Sequence, residues 1–290
     1  MKDRVTVGLD GTPQSLSAAL WAAQEAELRE ARLRLLHAWI LLAPERTGAP
    51  SEEAEAGQWP HRIIDEARTA VLSAHPGLPL DVSPVRAEPL AALVQAADDS
   101  DLLVLGSRGL GATARFTVGE TGLEVMTRTA VPTVLVRARQ DTPARIGSGN
   151  VTVGVSLHAT CDGLLAFAFE TAARRSVALR AVHGRHLPAY AYHRGGGVDR
   201  IAAQETARSA RDELAAVLGP WRAKFPDVHV DEQVILESPA PALLHGTSNA
   251  ELLIVGRRHG GRLLPPRIGH VVQAAVHHAP CPVAIVPYAP

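Results

Sequence analysis

The sequence is short of several residue types, and each shortage removes a class of protein from consideration. Only two cysteines occur, Cys161 and Cys281, and they form no C-x2-C pair. Neither a disulfide framework nor a zinc site is therefore indicated. Lys plus Arg number 29 against 30 for Asp plus Glu, so the net charge is -1. This balance argues against a chain built as a whole to bind nucleic acid or an anionic membrane.

Long apolar runs are also missing. No run reaches the roughly 18 residues of a transmembrane helix. The first residues, M-K-D-R-V-T-V-G-L-D, lead straight into a strand without the apolar core of a signal peptide. We therefore expect a cytoplasmic protein whose partners include neither membrane nor nucleic acid. Aromatic residues make up only 4% of the chain, so Ala, Leu and Val must fill its cores.

The chain does contain apolar strands that alternate with amphipathic helices. In the first half, strands are predicted at 4–9, 33–40, 80–86, 102–105 and 132–137. Helices are predicted at 14–32, 59–74, 89–98 and 119–129. Ser15 is the candidate N-cap of the first helix, and residues 41–58 read as a polar loop. Strands that alternate with helices pair in parallel through right-handed crossovers, which indicates a doubly wound sheet.

Three segments of the second half match segments of the first half in the same order. V-T-V-G-V-S at 151–156 matches V-T-V-G-L-D at 5–10, an offset of 146 (151 minus 5). L-L-I-V-G at 252–256 and P-V-A-I-V at 282–286 match segments that start at 102 and 132, both at an offset of 150. This repetition indicates a duplicated domain. We predict domains at 1–138 and 150–290, joined by a polar linker at 139–149.

A glycine loop follows the fourth strand of the first domain. Its glycines, Gly106, Gly109 and Gly119, have the spacing G-x2-G-x9-G, and a predicted helix begins after the last of them. A strand that leads into a glycine loop and a helix N-terminus can hold phosphates on main-chain N–H groups. Ligands of doubly wound sheets lie beyond the carboxyl ends of the strands, where the strand order reverses. Asp10 and Gly106 are therefore expected at the two lips of one crevice.

These features together resemble the universal stress protein family, as a tandem pair that covers nearly the whole chain. The resemblance rests on V-G-L-D-G-T after the first strand, G-S-R-G after the fourth, the glycine spacing, and V-P-T-V-L-V at the last strand. It implies an α/β fold with two tandem Rossmann-like, flavodoxin-like domains of the adenine nucleotide alpha hydrolase type. Each domain would hold a five-stranded parallel sheet in the order 3-2-1-4-5.

The resemblance also implies ATP or AMP, with or without Mg2+, bound by the first domain alone. The positions that match the nucleotide site of the family are Leu9, Asp10, Gly11, Thr12, Ala38, Gly106, Arg108, Gly109, Gly119, Glu120 and Thr121. The first four would line the adenine and ribose, and Ala38 would belong to the adenine pocket. Those from Gly106 to Gly109 would approach the ribose and phosphates, and the last three would cap the phosphates.

Glu120 departs from the family pattern, which has Ser or Thr at this position. A carboxylate at a helix N-terminus is favourable by itself, but it occupies the place of a phosphate and repels it. Arg108 and Arg115 could offset its charge, or a metal could bridge it to the phosphates. The competing interpretation is that Glu120 simply caps the helix.

The second domain departs further, and we do not expect it to bind ATP. Ser156 stands in place of Asp10, His259 in place of Gly109, and His270 in place of the hydroxyl residue. Pro265 and Pro266 stiffen the loop and remove two donors. Two interpretations of its arginines, at 257, 258, 262 and 267, stay open. They attract a different anion, or they form a solvated basic loop.

No residue pattern indicates catalysis or a metal site. The nucleophile elbow, the H-E-x-x-H motif and the Walker lysine are all missing. His183, His186 and His193 are assigned to a solvated loop.

We expect a nucleotide-responsive regulatory module; the alternatives are a scaffold that kept only the fold, and a slow ATPase. The last strands, 132–137 and 282–287, are expected to pair the domains as a pseudo-dimer and to let two chains associate.

Overall fold

Strands of valine and leucine alternate with helices through both halves of the chain. The computed structural model describes residues 2–40, 50–107, 120–137, 149–158, 161–192, 197–258 and 268–288, and the side chains of 50–60 and 120 lie outside this description. The chain divides into two units, Met1–Ala144 and Arg145–Pro290. None of the helices within the described residues combines the length and the apolar character that crossing a membrane requires.

The described residues of the first unit form five strands and four helices. In chain order they are β1 (Arg4–Leu9), α1 (Pro13–Leu28), β2 (Arg32–Trp39), α2 (Pro50–Ala74), β3 (Leu80–Arg86), α3 (Pro89–Asp98), β4 (Leu102–Ser107), α4 (Glu120–Arg128) and β5 (Thr133–Arg137). The strands are ordered β3-β2-β1-β4-β5 and every neighbouring pair is parallel. This is the predicted order, and it reverses between β1 and β4.

The second unit repeats the arrangement. Its elements are β6 (Asn150–Gly154), α5 (Asp162–Arg175), β7 (Leu179–Gly184), a 3-10 turn (Ala189–Ala191), α6 (Arg200–Lys224), β8 (Val230–Ile235), α7 (Pro239–His245), β9 (Ala250–Arg258), α8 (His270–His278) and β10 (Val283–Tyr288). The strand order is β8-β7-β6-β9-β10, again parallel. The offset between the repeats is 146 at β6 and β7 and 150 from β8 onward, so four additional residues lie between β7 and β8.

Burial on both faces explains why the central strands are almost continuously apolar. Val5 and Val7 of β1 and the run 102–104 of β4 have no exposed surface. In the first unit α1 packs on α2, and α3 on α4. In the second unit α5 packs on α6, and α7 on α8. Helices thus cover the central strands of each sheet region.

Several predicted boundaries were wrong. Thr12, not Ser15, is the N-cap of α1, because the Thr12 side chain accepts a hydrogen bond from the Ser15 N–H. The helix ends at Leu28 and not at 32, since the chain turns through Glu30, whose φ of 52° is left-handed. Helix α2 begins at Pro50, so the second part of the predicted 41–58 loop is helical.

A buried ion pair joins a helix to a strand in the second unit. Nη1 of Arg175, at the end of α5, lies 2.9 Å from Oε1 of Glu251 on β9. Their side chains are only 1% and 5% exposed. Removing one partner of such a pair leaves a buried charge without its counter-charge, which is costly.

We expect Glu251→Gln to lower the free energy of unfolding by about 3 kcal/mol or more, for this reason. Glu170→Gln is the matched control, because Glu170 pairs with Arg174, the neighbour of Arg175, at 3.5 Å and both side chains are partly exposed. Its cost should stay below about 1 kcal/mol. Urea denaturation of the two variants measures both values, and equal losses would contradict the assignment.

Candidate functional site

The turn after β1 is held by hydrogen bonds among the residues predicted to line the site. Oδ1 of Asp10 accepts hydrogen bonds from the Thr12 N–H at 3.0 Å and from the Thr12 hydroxyl at 2.5 Å. Thr12 in turn caps α1 through the Ser15 N–H. Gly11 has a φ of 78°, which side-chain-bearing residues rarely adopt. The sequence D-G-T therefore fixes a tight entry into α1 with the Asp10 carboxylate at the exposed edge.

Gly106 lies on the neighbouring strand, and its lack of a side chain serves packing. A Cβ at Gly106 would lie 2.6 Å from the carbonyl carbon of Gln14 and 2.7 Å from the Ser15 nitrogen. Both atoms belong to the main chain of α1 and cannot move aside independently. Gly106 thus lets β4 approach the first turn of α1, which brings the end of β4 beside the Asp10 turn.

A small cavity of about 130 Å³ lies beside the turn after β1. Leu9, Gly11 and Thr12 line it together with residues of α1 and with Ile63, Glu66 and Ala67 of α2. This volume is smaller than the roughly 300–1,000 Å³ of typical small-molecule sites. None of its described lining residues is on β4, so this cavity is distinct from the predicted crevice between β1 and β4.

The other predicted residues are placed as follows. Ala38 is half-buried on β2, and Thr121 is exposed in the first turn of α4. Glu120 is the first residue of α4, as expected of a residue at a helix N-terminus, and its side chain is outside the description. Arg108, Gly109 and Gly119 lie outside the described residues.

A histidine missing from the sequence-based prediction stabilises the end of β1. Nδ1 of His37 on β2 donates a hydrogen bond to the Leu9 carbonyl at 2.7 Å. The second unit repeats this contact, because Nδ1 of His183 on β7 donates to the Val155 carbonyl at 2.9 Å. The two histidines are 146 residues apart (183 minus 37), which is the repeat offset, so the sequence did contain the signal.

The crevice of the second unit contains a cavity of about 870 Å³ at the carboxyl ends of β6, β7 and β9. The start of α5 differs from that of α1. Under the offset of 146, the counterpart of Pro13 would be residue 159, but α5 begins three residues later at Asp162. The residue before the helix, Cys161, makes no capping hydrogen bond with its side chain. Ser156 replaces Asp10, and its hydroxyl accepts a long hydrogen bond of 3.4 Å from the His158 N–H.

Basic groups line this second cavity. Arg257 on β9 is 3% exposed, and burial lowers the pKa of its guanidinium from the ordinary value. His183 is 4% exposed, and its pKa is lowered chiefly by burial, with the Val155 hydrogen bond acting in the opposite direction. Arg258 and His270 also line the cavity.

The prediction of a solvated histidine loop was wrong for His183, which is a buried strand residue. His186 is exposed and His193 lies outside the described residues. Within the described parts of the chain, no three His, Cys, Asp or Glu side chains are grouped so that they could hold a metal ion.

With this geometry in hand, the comparisons with known proteins identify the class of protein. The family model "Universal stress protein family" matches residues 1–137 and again residues 148–287. The chain therefore belongs to the universal stress protein family and carries its domain twice.

Similar proteins agree with this assignment. A universal stress protein of Mycobacterium tuberculosis (strain H37Rv) is 29% identical over 97% of this chain and 96% of its own length. The crystal structure of a universal stress protein from Archaeoglobus fulgidus is similar over 99% of both chains, with a TM-score of 0.72 at 15% identity, which shows a shared fold. A universal stress protein solved in complex with cAMP is 26% identical and covers 47% of this chain and 97% of its own, with a TM-score of 0.36.

The two glycines at the ends of β4 and β9 should respond differently to substitution. Gly106→Ala forces a Cβ against main-chain atoms, so we expect a loss of about 1–3 kcal/mol in the free energy of unfolding. At the matched position, a Cβ of Gly256 would meet Cε1 of Tyr288 at 2.6 Å, the outer edge of a ring that can rotate away. Gly256→Ala should therefore cost less. Thermal denaturation of both variants tests this, and a larger loss for Gly256→Ala would disprove the packing role of Gly106.

Proposed function

We propose that this protein is a regulatory module that binds an adenine nucleotide, ATP or AMP, in the crevice of the first unit. The observation that carries the proposal is the Asp10–Thr12 turn beside the end of β4, at the point where the strand order reverses. A crevice at this reversal is where open α/β sheets bind ligands. Membership of the universal stress protein family supports the same location.

Asp10 is the main polar contact in this proposal. Its carboxylate is exposed, and Thr12 orients it through two hydrogen bonds to one oxygen. An ionised carboxylate has about four acceptor positions, so it can take ribose hydroxyls in addition to Thr12. The His37 hydrogen bond to Leu9 holds the preceding residue in place. The adenine is expected beside Leu9 and Ala38, and the phosphates near the N-terminus of α4, with or without Mg2+.

Dedicated catalysis is not part of the proposal. The carboxylates described near the first crevice are Asp10, which is assigned to the ribose, and Glu66 on α2, and the described lining of the second cavity has none. Phosphoryl transfer needs a group that orients the nucleophile and cations that neutralise developing charge. Three further features stay predictions of the sequence: a cytoplasmic location, pairing of the two repeats through their last strands, and association of two chains.

Asp10→Ala should weaken nucleotide binding about tenfold or more, because hydrogen bonds to a charged group contribute about 1.5–3 kcal/mol. Calorimetric titration of the nucleotide-free protein with ATP and AMP, each with and without Mg2+, measures the affinity. Ser156→Ala, the same position in the second unit, is the matched control and should leave the affinity unchanged.

The proposal fails if protein as purified releases no adenine nucleotide on denaturation and titration with ATP or AMP produces no heat. That result would favour the scaffold alternative. Phosphate release from ATP at a rate that Asp10→Ala abolishes would instead support the slow ATPase.

Glu120→Ser should tighten ATP binding about two- to fivefold, because a carboxylate at the start of a helix interacts with the helix N-terminus by about 0.3–1 kcal/mol and competes with phosphate. Adenosine, which has no phosphate, should bind both forms equally. Glu124→Ser, on the same helix beyond its first turn, is the control. Unchanged ATP affinity in Glu120→Ser would mean that Glu120 is only a helix cap.

A further inference from the structure

The cavity of the second unit has the dimensions of a small-molecule site. Its volume of about 870 Å³ lies within the roughly 300–1,000 Å³ that such sites occupy. Apolar walls come from three different elements, with Leu164 on α5, Leu243 on α7 and Val272 on α8. A cavity with these walls suits a ligand with an apolar body.

The permanently charged groups of the described lining are all positive. Arg185, Arg257 and Arg258 contribute guanidinium groups, and four histidines join them: His158, His183, His186 and His270. Among the described residues of this lining there is no Asp or Glu. A guanidinium binds a carboxylate or a phosphate through charge-assisted hydrogen bonds. The cavity therefore favours a ligand with negative charge.

His183 adds a requirement for a hydrogen-bond donor. Because a carbonyl only accepts, Nδ1 of His183 carries the proton that binds Val155. Nε2 of the neutral ring is then an acceptor, and it is buried with no hydrogen-bond partner among the described residues. The ring lines the cavity, so a hydroxyl or amine of a ligand can supply the missing donor.

Ser156 makes the site unlike that of the first unit. A ribose offers two adjacent hydroxyls, which the two oxygens of a carboxylate can accept together. Ser156 has one oxygen, which also faces the His158 N–H. The second crevice thus lacks the group that favours a nucleoside and keeps the groups that favour an anion.

We propose that the crevice of the second unit binds a small organic anion, with an apolar body and one hydrogen-bond donor, in preference to an adenine nucleotide. Arg257 and Arg258 contact the anion, and His183 accepts the hydrogen bond. The anion is a carboxylate or a phosphate, since both fit a guanidinium. This site is independent of nucleotide binding by the first unit.

Calorimetric titration of the full chain in the Asp10→Ala form tests the proposal. The probes are 4-hydroxybenzoate, benzoate, 4-hydroxyphenyl phosphate and AMP. We expect at least one hydroxylated probe to bind more tightly than AMP. We also expect 4-hydroxybenzoate to bind about two- to tenfold more tightly than benzoate, the range of one added hydrogen bond. The carboxylate and phosphate probes decide which anion is preferred.

Two groups of variants locate the site. Arg257→Gln should weaken the hydroxylated probes about tenfold or more, and Arg258→Gln, at an exposed position, less than that. Arg222→Gln on α6 makes the same charge change outside the cavity, where Arg222 pairs with Glu232, and should have no effect. His183→Phe should remove the preference for 4-hydroxybenzoate over benzoate, a ratio that a general loss of stability would not change.

Three results would overturn the proposal. The first is that no probe other than AMP binds at millimolar concentration. The second is that AMP binds most tightly and loses its affinity in Arg258→Gln, which would make the second crevice a nucleotide site. The third is that probe binding is unchanged in both arginine variants. Because Arg258 is exposed, its variant gives an answer even if Arg257→Gln does not fold.

Discussion

A histidine on the second strand of each repeat holds the carbonyl of the residue at the end of the first strand, and both crevices depend on this contact. Parallel strands can pair along their length and still separate at their ends, where the chain leaves for the next helix. His37 and His183 bind the strand end at this point. The carbonyls that they hold belong to Leu9 and Val155, the residues directly before Asp10 and Ser156. The residues that differ between the two crevices therefore project from equivalent, fixed positions.

The two crevices diverge by changes that are small in sequence. In the first unit, hydrogen bonds between Asp10 and Thr12 close the turn, and Thr12 caps α1, which begins at Pro13. In the second unit, Cys161 gives α5 no side-chain cap, the helix begins at Asp162, and a cavity lies at the strand ends. The chemistry of the turn thus differs between the two crevices, while the strand order is the same.

The sequence predicted the strands, their order and the duplication, because burial on both faces requires long apolar runs whose repetition is easy to detect. It predicted less well where local chemistry decides the outcome. The N-cap was misplaced because Ser15 and Thr12 are both good caps, and only the Asp10 hydrogen bonds select Thr12. Gly106 was assigned to phosphate approach, and its packing against α1 appears only when the helix is in place. The second cavity was not predicted, since the residues that line it come from elements that are far apart in the sequence.

The change of repeat offset from 146 to 150 between β7 and β8 has an evolutionary consequence. The four-residue difference in length lies in the connection between β7 and β8, whose first residues, Arg185 and His186, line the second cavity. The connection that differs in length between the two copies therefore also contributes to the site that differs. Such a tandem protein can keep an ancestral binding site in one copy while the other acquires a new specificity.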